Sequence, residues 1–119
     1  MLFPGVVCPP PERGWSPAVD VYVSEDGGEW LVKVDAAGVS PRDVDVRVEG
    51  RELVVRGARR DALMHEGYRV HQMEISYSEF ERRISLPCGE GLERCEMSWG
   101  IRDGMVLVFI RLQGASGGA

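Results

Sequence analysis

The sequence predicts an all-β fold in which two antiparallel sheets pack as a sandwich. Apolar residues recur at every second position in several short runs, which is typical of strands that bury one face. Gly-containing turns separate the runs, so neighbouring strands are expected to pair as hairpins. No stretch predicts a long helix. Strands without long helices favour an antiparallel two-sheet sandwich.

The first hairpin is predicted from residues 19–23 and 30–34. Apolar side chains occupy alternate positions of both runs, and residues 26–28 (DGG) supply the turn between them. Beyond the second run, Ser40 and Pro41 can begin one helical turn, with Ser40 as its cap and Pro41 at its first position. The segment is too short for more than one turn.

Two further hairpins follow from the same pattern. Residues 44–48 and 53–56 are predicted strands around the turn at residues 49–50 (EG), and residues 103–104 (DG) join the last two strands. Residues 68–77 lack a clean apolar face, because polar and apolar side chains mix on both sides. We expect this segment to be an exposed or edge strand.

Three regions are expected along the chain. Residues 1–14 form a short arm with a small apolar head and a Pro-rich break, which predicts a mobile segment. Residues 15–112 contain the predicted strands and form the folded domain. Residues 113–119 are almost all small side chains, which cannot offset the entropy of ordering them. We expect this tail to be disordered.

Composition excludes several classes of partner. The length of 119 residues suits one domain, and the net charge of −5 argues against a surface for nucleic acid. Three cysteines leave an odd thiol in any pairing, which suits a reducing cytoplasm. The arm lacks the basic region of a secretory signal, and no stretch approaches transmembrane length. The sequence therefore predicts a cytoplasmic protein with neither nucleic acid nor membrane as partner.

Candidate catalytic and metal-binding residues are sparse. The cysteines and histidines that could serve as metal ligands match no common zinc spacing, so we predict no metal site from them. The serines lack a nucleophile elbow, and no Gly-rich phosphate loop is present. We therefore expect no cofactor, no metal and no enzymatic activity. These candidate metal ligands are Cys88, Cys95, His65 and His71.

Three motifs fit one known pattern. Residues 80–87 (FERRISLP) match an aromatic residue, an arginine, a large apolar residue and Leu-Pro at fixed spacing. Residues 103–108 (DGMVLV) match a turn into an alternating apolar strand, and residues 37–39 (AGV) and 53–57 (LVVRG) match two shorter motifs. Together they resemble the α-crystallin domain of the small heat shock proteins over residues 15–112. The resemblance implies an immunoglobulin-like β-sandwich.

The resemblance also implies a function and a dimer. Members of this family are ATP-independent chaperones, called holdases, that bind unfolding client proteins and limit their aggregation. In similar proteins the segment that matches residues 68–76 crosses to the partner subunit and pairs there. The alternative is an adaptor or co-chaperone with the same sandwich that binds one dedicated protein. The dimer-interface residues implied are Tyr68, Val70, Gln72, Glu74 and Arg82.

Arg82 is expected to have an unusual position. It shares a strand face with Phe80 and Ile84, where a guanidinium needs a partner. We predict a carboxylate across the dimer, with Glu74 or Asp61 as candidates. The competing interpretation is an ordinary surface arginine, whose stem packs on the protein while its charged head stays in water.

Two sets of apolar residues are candidates for client binding. One is a groove between the strands at residues 44–48 and 97–101, although the same side chains could be ordinary sandwich core. The other is the arm, whose apolar residues have no obvious core to join. The groove set is Val44, Val46, Val48, Met97, Trp99 and Ile101, and the arm set is Leu2, Phe3, Val6 and Val7.

Departures from the family pattern bear on assembly. Family members usually carry a longer arm and a carboxy-terminal extension whose Ile-x-Ile motif docks in a neighbour's groove. Residues 110–112 (IRL) mimic that motif but fall inside the last predicted strand. Trp99 stands where the pattern prefers a small residue, so it is expected to fill part of the groove. We therefore predict a homodimer or small assembly, with mixed oligomers with longer relatives as an open alternative.

Overall fold

The structure, a computed structural model, describes residues 15–61, 66–86 and 95–112. Within these ranges it has seven antiparallel strands and a short 3-10 turn, Pro41–Asp43, which confirms the predicted fold class. The strands are β1 (Val19–Val23), β2 (Glu29–Asp35), β3 (Val44–Glu49), β4 (Glu52–Ala58), β5 (Glu79–Ser85), β6 (Cys95–Arg102) and β7 (Met105–Leu112).

The strands form two sheets that stack as a sandwich. One sheet has the order β1-β2-β7-β6 and the other has the order β3-β4-β5. Trp15 and Pro17, which precede β1, contact Phe80 and Arg82 of β5, so the β1 edge lies beside the β5 edge. Since stacked sheets keep their strands roughly aligned, the free edges of β6 and β3 lie together on the opposite side.

The core lies between the central strands of the two sheets. The alternation predicted for β2 is observed, because Val32 and Val34 are fully buried. They face the core together with Leu53 and Val55 of β4 and with Val106 and Val108 of β7. Full burial of such a side chain contributes about 1.5–3 kcal/mol to folding.

Gly57 of β4 explains one motif in the sequence. A Cβ at this position would lie 2.6 Å from Phe80 Cε2 and 2.9 Å from the carbonyl oxygen of Asp43. Only glycine lets the Phe80 ring cross β4 this closely. The glycine that ends the 53–57 motif is therefore a packing requirement of the sandwich.

The predicted hairpin turns are confirmed, and Ser40 and Pro41 occupy the predicted cap and first positions of a 3-10 turn, although the side-chain cap is not formed. Asp26 accepts hydrogen bonds from the Ser24 hydroxyl at 2.6 Å and from the Gly28 amide at 2.8 Å, and these lower the pKa of its carboxyl. The Ser40 side chain makes no capping hydrogen bond. The Asp43 amide, which a cap would bind, donates to the Ser40 carbonyl at 2.8 Å in this tight 3-10 turn.

The predicted exposure of residues 68–77 is observed as far as Ser76, but the segment pairs with none of the seven strands. It follows β4 and returns to the sandwich at Ser78, whose carbonyl accepts from the Arg59 amide at 3.0 Å. Within the described ranges, no helix is long and apolar enough to cross a membrane. The arm set, Cys88, His65 and the expected tail lie outside the described residues.

Candidate functional site

The six predicted groove residues lie on the facing edges of β3 and β6. Val44, Val46 and Val48 alternate with exposed charged residues and pack partly buried against the core. Met97 and Ile101 do the same on β6, while Trp99 remains 36 % exposed. These side chains therefore close the core only in part. We call this set the edge groove.

Register explains why the edge groove is open. Trp99 pairs with Val108, which pairs with Val32, and paired residues share a face of the sheet. Val108 and Val32 are fully buried, whereas Trp99 at the end of the row is not. The four-stranded sheet is wider than the three-stranded sheet, so its edges receive less cover than its centre.

The other edge of the four-stranded sheet is also uncovered. Val21 and Val23 of β1 pair with Val32 and Trp30, so they lie on the core-facing side. Nevertheless they are 42 % and 51 % exposed. In addition, the outer edge of β1 has no partner strand among the described residues. This edge offers both apolar side chains and unpaired backbone groups to another chain.

Residues 66–77 present a second set of apolar side chains to solvent. Tyr68 is 83 % exposed and Val70 49 %, as expected for the predicted interface. Met73 and Ile75 are exposed as well, and the sequence analysis did not single them out. Their spacing of two was the available signal, but it was hidden because the apolar positions change parity between Val70 and Met73.

The predicted polar residues of the interface have local partners. Gln72 donates a hydrogen bond to Glu74 within the segment. Arg82 lies half-buried on the same face of β5 as Phe80 and Ile84, as predicted, and its Nη1 donates to the Pro17 carbonyl oxygen at 2.7 Å. A carbonyl at the entry to β1 therefore holds this guanidinium. The ion pair with Glu74 or Asp61 across a dimer stays a prediction.

An apolar surface on the outer face of the four-stranded sheet was missed by the sequence analysis. Tyr22, Leu31 and Phe109 lie in one row, and Leu107 lies beside them. Tyr22 is 47 % exposed and Phe109 50 %, and Lys33 Nζ lies 4.9 Å from the centre of the Tyr22 ring. We call these four residues the outer patch. Its signal was the unbroken apolar run 105–110, which gives β7 two apolar faces.

Comparison with known proteins identifies the family. The model of the Hsp20/alpha crystallin family matches residues 22–115, which is most of the chain. The chain belongs to this family. A curated relative, small heat shock protein C2 of Rickettsia felis, is 25% identical over 64% of this chain and 48% of its own length. Spore protein SP21 of Stigmatella aurantiaca is 27% identical over 76% of this chain and 51% of its own.

Solved structures support the fold of a small heat shock protein. The hspA of Xanthomonas axonopodis superposes with a TM-score of 0.66 at 23% identity, covering 87% of this chain and 100% of that one. Heat shock protein 16.0 of Schizosaccharomyces pombe gives 0.65 at 25% identity, covering 86% and 91%. This small heat shock protein spans about half the length of the curated relatives cited here.

Of the four candidate metal ligands, the structure describes His71 and Cys95. In the three described ranges, no three His, Cys, Asp or Glu side chains come together as ligands for a metal ion. Cys95 is half-buried. The surfaces that distinguish this small heat shock protein are therefore apolar: the edge groove, the inner side of β1, the 66–77 segment and the outer patch.

Proposed function

We propose that this small heat shock protein is an ATP-independent holdase that binds unfolding proteins and limits their aggregation. The observation that carries the proposal is the exposure of apolar side chains on edges that lack partner strands. Unfolding clients expose apolar segments and free backbone groups, and both can bind at such edges. Val44, Val46, Val48, Met97, Trp99 and Ile101 would bind client side chains, together with the arm residues Leu2, Phe3, Val6 and Val7.

We further propose that the working unit is a homodimer. Residues 66–77 of one subunit would pair with the free edge of β1 in the other and cover Val21 and Val23. To cover Val21 and Val23, a pairing strand needs two apolar side chains that lie two residues apart on one face. The segment offers two such pairs, Tyr68 with Val70 and Met73 with Ile75. Exchange of an identical segment is an economical route to a symmetric dimer.

The remaining expectations belong to the same proposal. The protein would act in the cytoplasm, without a cofactor and without catalysing a reaction. Its partners would be unfolded or partly unfolded proteins and a second copy of itself, and longer relatives could supply further segments in mixed oligomers. Neither nucleic acid nor a membrane is required.

Light scattering from an unrelated, thermally unfolding client tests the chaperone proposal. The protein is added without nucleotide, and an inert protein of equal mass is the control. We expect client aggregation to be suppressed at about one chain of this protein per client chain, because each subunit carries its own edge surfaces. No suppression at several-fold excess would contradict the holdase and favour an adaptor that binds one dedicated protein.

Two neighbouring arginines test the dimer. Arg82→Ala removes the donor that holds the Pro17 carbonyl at the entry to β1, whereas Arg83→Ala changes only the outer face of β5. Loss of a charge-assisted hydrogen bond should weaken dimerisation by about tenfold in the first variant. Sedimentation across a dilution series measures both, with the unmodified protein as reference. Equal effects of the two substitutions would contradict this role of Arg82.

A further inference from the structure

Arg59 joins three parts of the chain that are distant in sequence. It follows directly after β4, and its Nε donates to the Ser76 carbonyl oxygen at 2.9 Å while its Nη1 donates to the Ala37 carbonyl oxygen at 3.2 Å. Its guanidinium carbon also lies 3.7 Å from the centre of the Trp15 ring. One side chain therefore contacts Trp15, which lies four residues before β1, as well as the β2–β3 connection and the end of the 66–77 segment.

The surroundings of Arg59 fix its orientation. Among the described residues its hydrogen-bond acceptors are backbone carbonyls, and burial lowers the pKa of the guanidinium, which nevertheless stays protonated. Gly38 lies beside the Arg59 stem, where a Cβ would be in ordinary van der Waals contact with Arg59 Cδ at 3.5 Å. Its φ of +83° favours glycine, so the Ala37-Gly38-Val39 motif presents the Ala37 carbonyl to Arg59.

Trp15 is held in place by the same arrangement. Its ring packs edge-on against Phe80 of β5 at 5.1 Å between ring centres, with the Arg59 guanidinium on its face. A planar guanidinium can stack on a ring while donating to two carbonyls in different directions. A lysine ammonium at the same place is a point charge and cannot satisfy all three contacts at once.

We propose that Arg59 is the positioning residue of the 66–77 segment and couples its direction to the position of Trp15, at the root of the amino-terminal arm. Displacement of Trp15 removes one side of the Arg59 site and loosens the hold on the Ser76 carbonyl. A client that engages the arm would thereby alter how the segment is presented to a second subunit. This regulation rests on the proposed dimer, but the coupling within one chain does not.

Spin-label distance measurements test the coupling inside one chain. Labels are placed at Ile75→Cys on the segment and Ser98→Cys on β6, with the three native cysteines replaced by alanine. Labelled chains are diluted with unlabelled chains, so that only distances within a chain are observed. We expect one narrow distance distribution in the parent and broader distributions in Arg59→Lys and in Trp15→Leu. Arg83→Lys, on the outer face of β5, is the matched control and should leave the distribution unchanged.

The double variant distinguishes coupling from two independent effects. If Trp15 acts on the segment through Arg59, Trp15→Leu adds no broadening to Arg59→Lys. Circular dichroism melting verifies that each variant is folded at the temperature of measurement. A distribution in Trp15→Leu that matches the parent, or additive broadening in the double variant, would overturn the proposal.

Subunit exchange between mass-labelled dimers then tests the regulatory consequence. Arg59→Ala removes two charge-assisted hydrogen bonds and should accelerate exchange by at least about tenfold. Absence of any dimer would contradict the proposed assembly and would leave the spin-label result as it stands. Dimers that exchange at the parent rate, together with broadened distances, would overturn the link between segment position and assembly.

Discussion

The two outer faces of the sandwich differ in the way their apolar residues are covered. On the three-stranded sheet, Val54 is fully buried although it lies on the outer side, and its cross-strand neighbours are Arg47 and Arg83. On the four-stranded sheet, Tyr22 and Phe109 occupy comparable outer positions and remain about half exposed. One face is therefore closed by its own side chains, and the other presents the outer patch to solvent.

Charged side chains account for the closed face. Arg83 lies 2.9 Å from Glu81, 3.1 Å from Glu49 and 3.3 Å from Glu52, and Arg56 lies 2.6 Å from Glu81. Hydrogen bonds from Arg83 and Arg56 lower the pKa of Glu81, and those to Glu81 and Glu49 raise the pKa of Arg83. Long stems held by these pairs can lie over Val54. On the outer face of the four-stranded sheet, Lys33 lies over the Tyr22 ring and Arg111 pairs with Glu29 at 3.6 Å, yet Tyr22 and Phe109 remain about half exposed.

The difference indicates a division of labour between the sheets. A charged face resists association with another sheet, because burial of its ion pairs would cost desolvation energy. An exposed apolar face has fewer charges to desolvate when it binds another surface. Removal of its apolar area from water stabilises that contact. Within the proposed holdase function, the three-stranded sheet would keep the protein dispersed, and the four-stranded sheet would offer surface to clients.

The largest expected effect compares one apolar residue from each outer face. Val54→Ala should lower the free energy of unfolding by about 2 kcal/mol, because it leaves a cavity beneath the charged side chains. Phe109→Ala removes a larger side chain but should cost less than about 1 kcal/mol, since half of that side chain is already in water. Urea unfolding at constant pH measures both. A greater loss from Phe109→Ala would show that the outer patch is structural.

Sequence periodicity predicted the folded core because burial there depends on one local rule. In β2, Val32 and Val34 alternate with Lys33 and Asp35 and are buried as that rule requires, whereas β4 and β7 carry apolar residues on both faces. The groove candidates followed from the same pattern combined with the family resemblance. The outer patch broke the rule, since Phe109 is apolar on a face that alternation assigns to water.

Contacts between distant segments could not be predicted from the sequence. Nothing local to Arg59 indicates that it meets Trp15 and Ser76, because those contacts depend on the stacking of the two sheets. The Pro17 carbonyl that accepts a hydrogen bond from Arg82 was not predicted either. A carbonyl acceptor has no signature in a sequence, as every residue carries one.

A smaller effect is expected when the outer patch loses its exposed side chains. The double variant Tyr22→Ser and Phe109→Ser should need about threefold more protein for the same protection of a client, because about half of each ring is available for contact. Light scattering at a temperature where both proteins are folded measures the change. The matched control is Glu49→Ser with Glu52→Ser on the charged face. Equal loss from both pairs would contradict the division between the sheets.

The smallest effect separates the charge of Arg83 from its stem. Arg83→Met keeps an apolar stem over Val54 and removes only the exposed ion pairs, so the thermal midpoint should fall by less than about 4 °C. Arg83→Ala removes the stem as well and should lower the midpoint further, because Val54 is then exposed to water. The difference between the parent and Arg83→Met should vanish in about 1 M salt, where exposed charges are screened, whereas the deficit of Arg83→Ala should persist. Melting curves at low and high salt give the thermal midpoints of the parent and of both variants. If Arg83→Met and Arg83→Ala melt together at high salt, the stem does not cover Val54, and the closed face is maintained by the sheet itself.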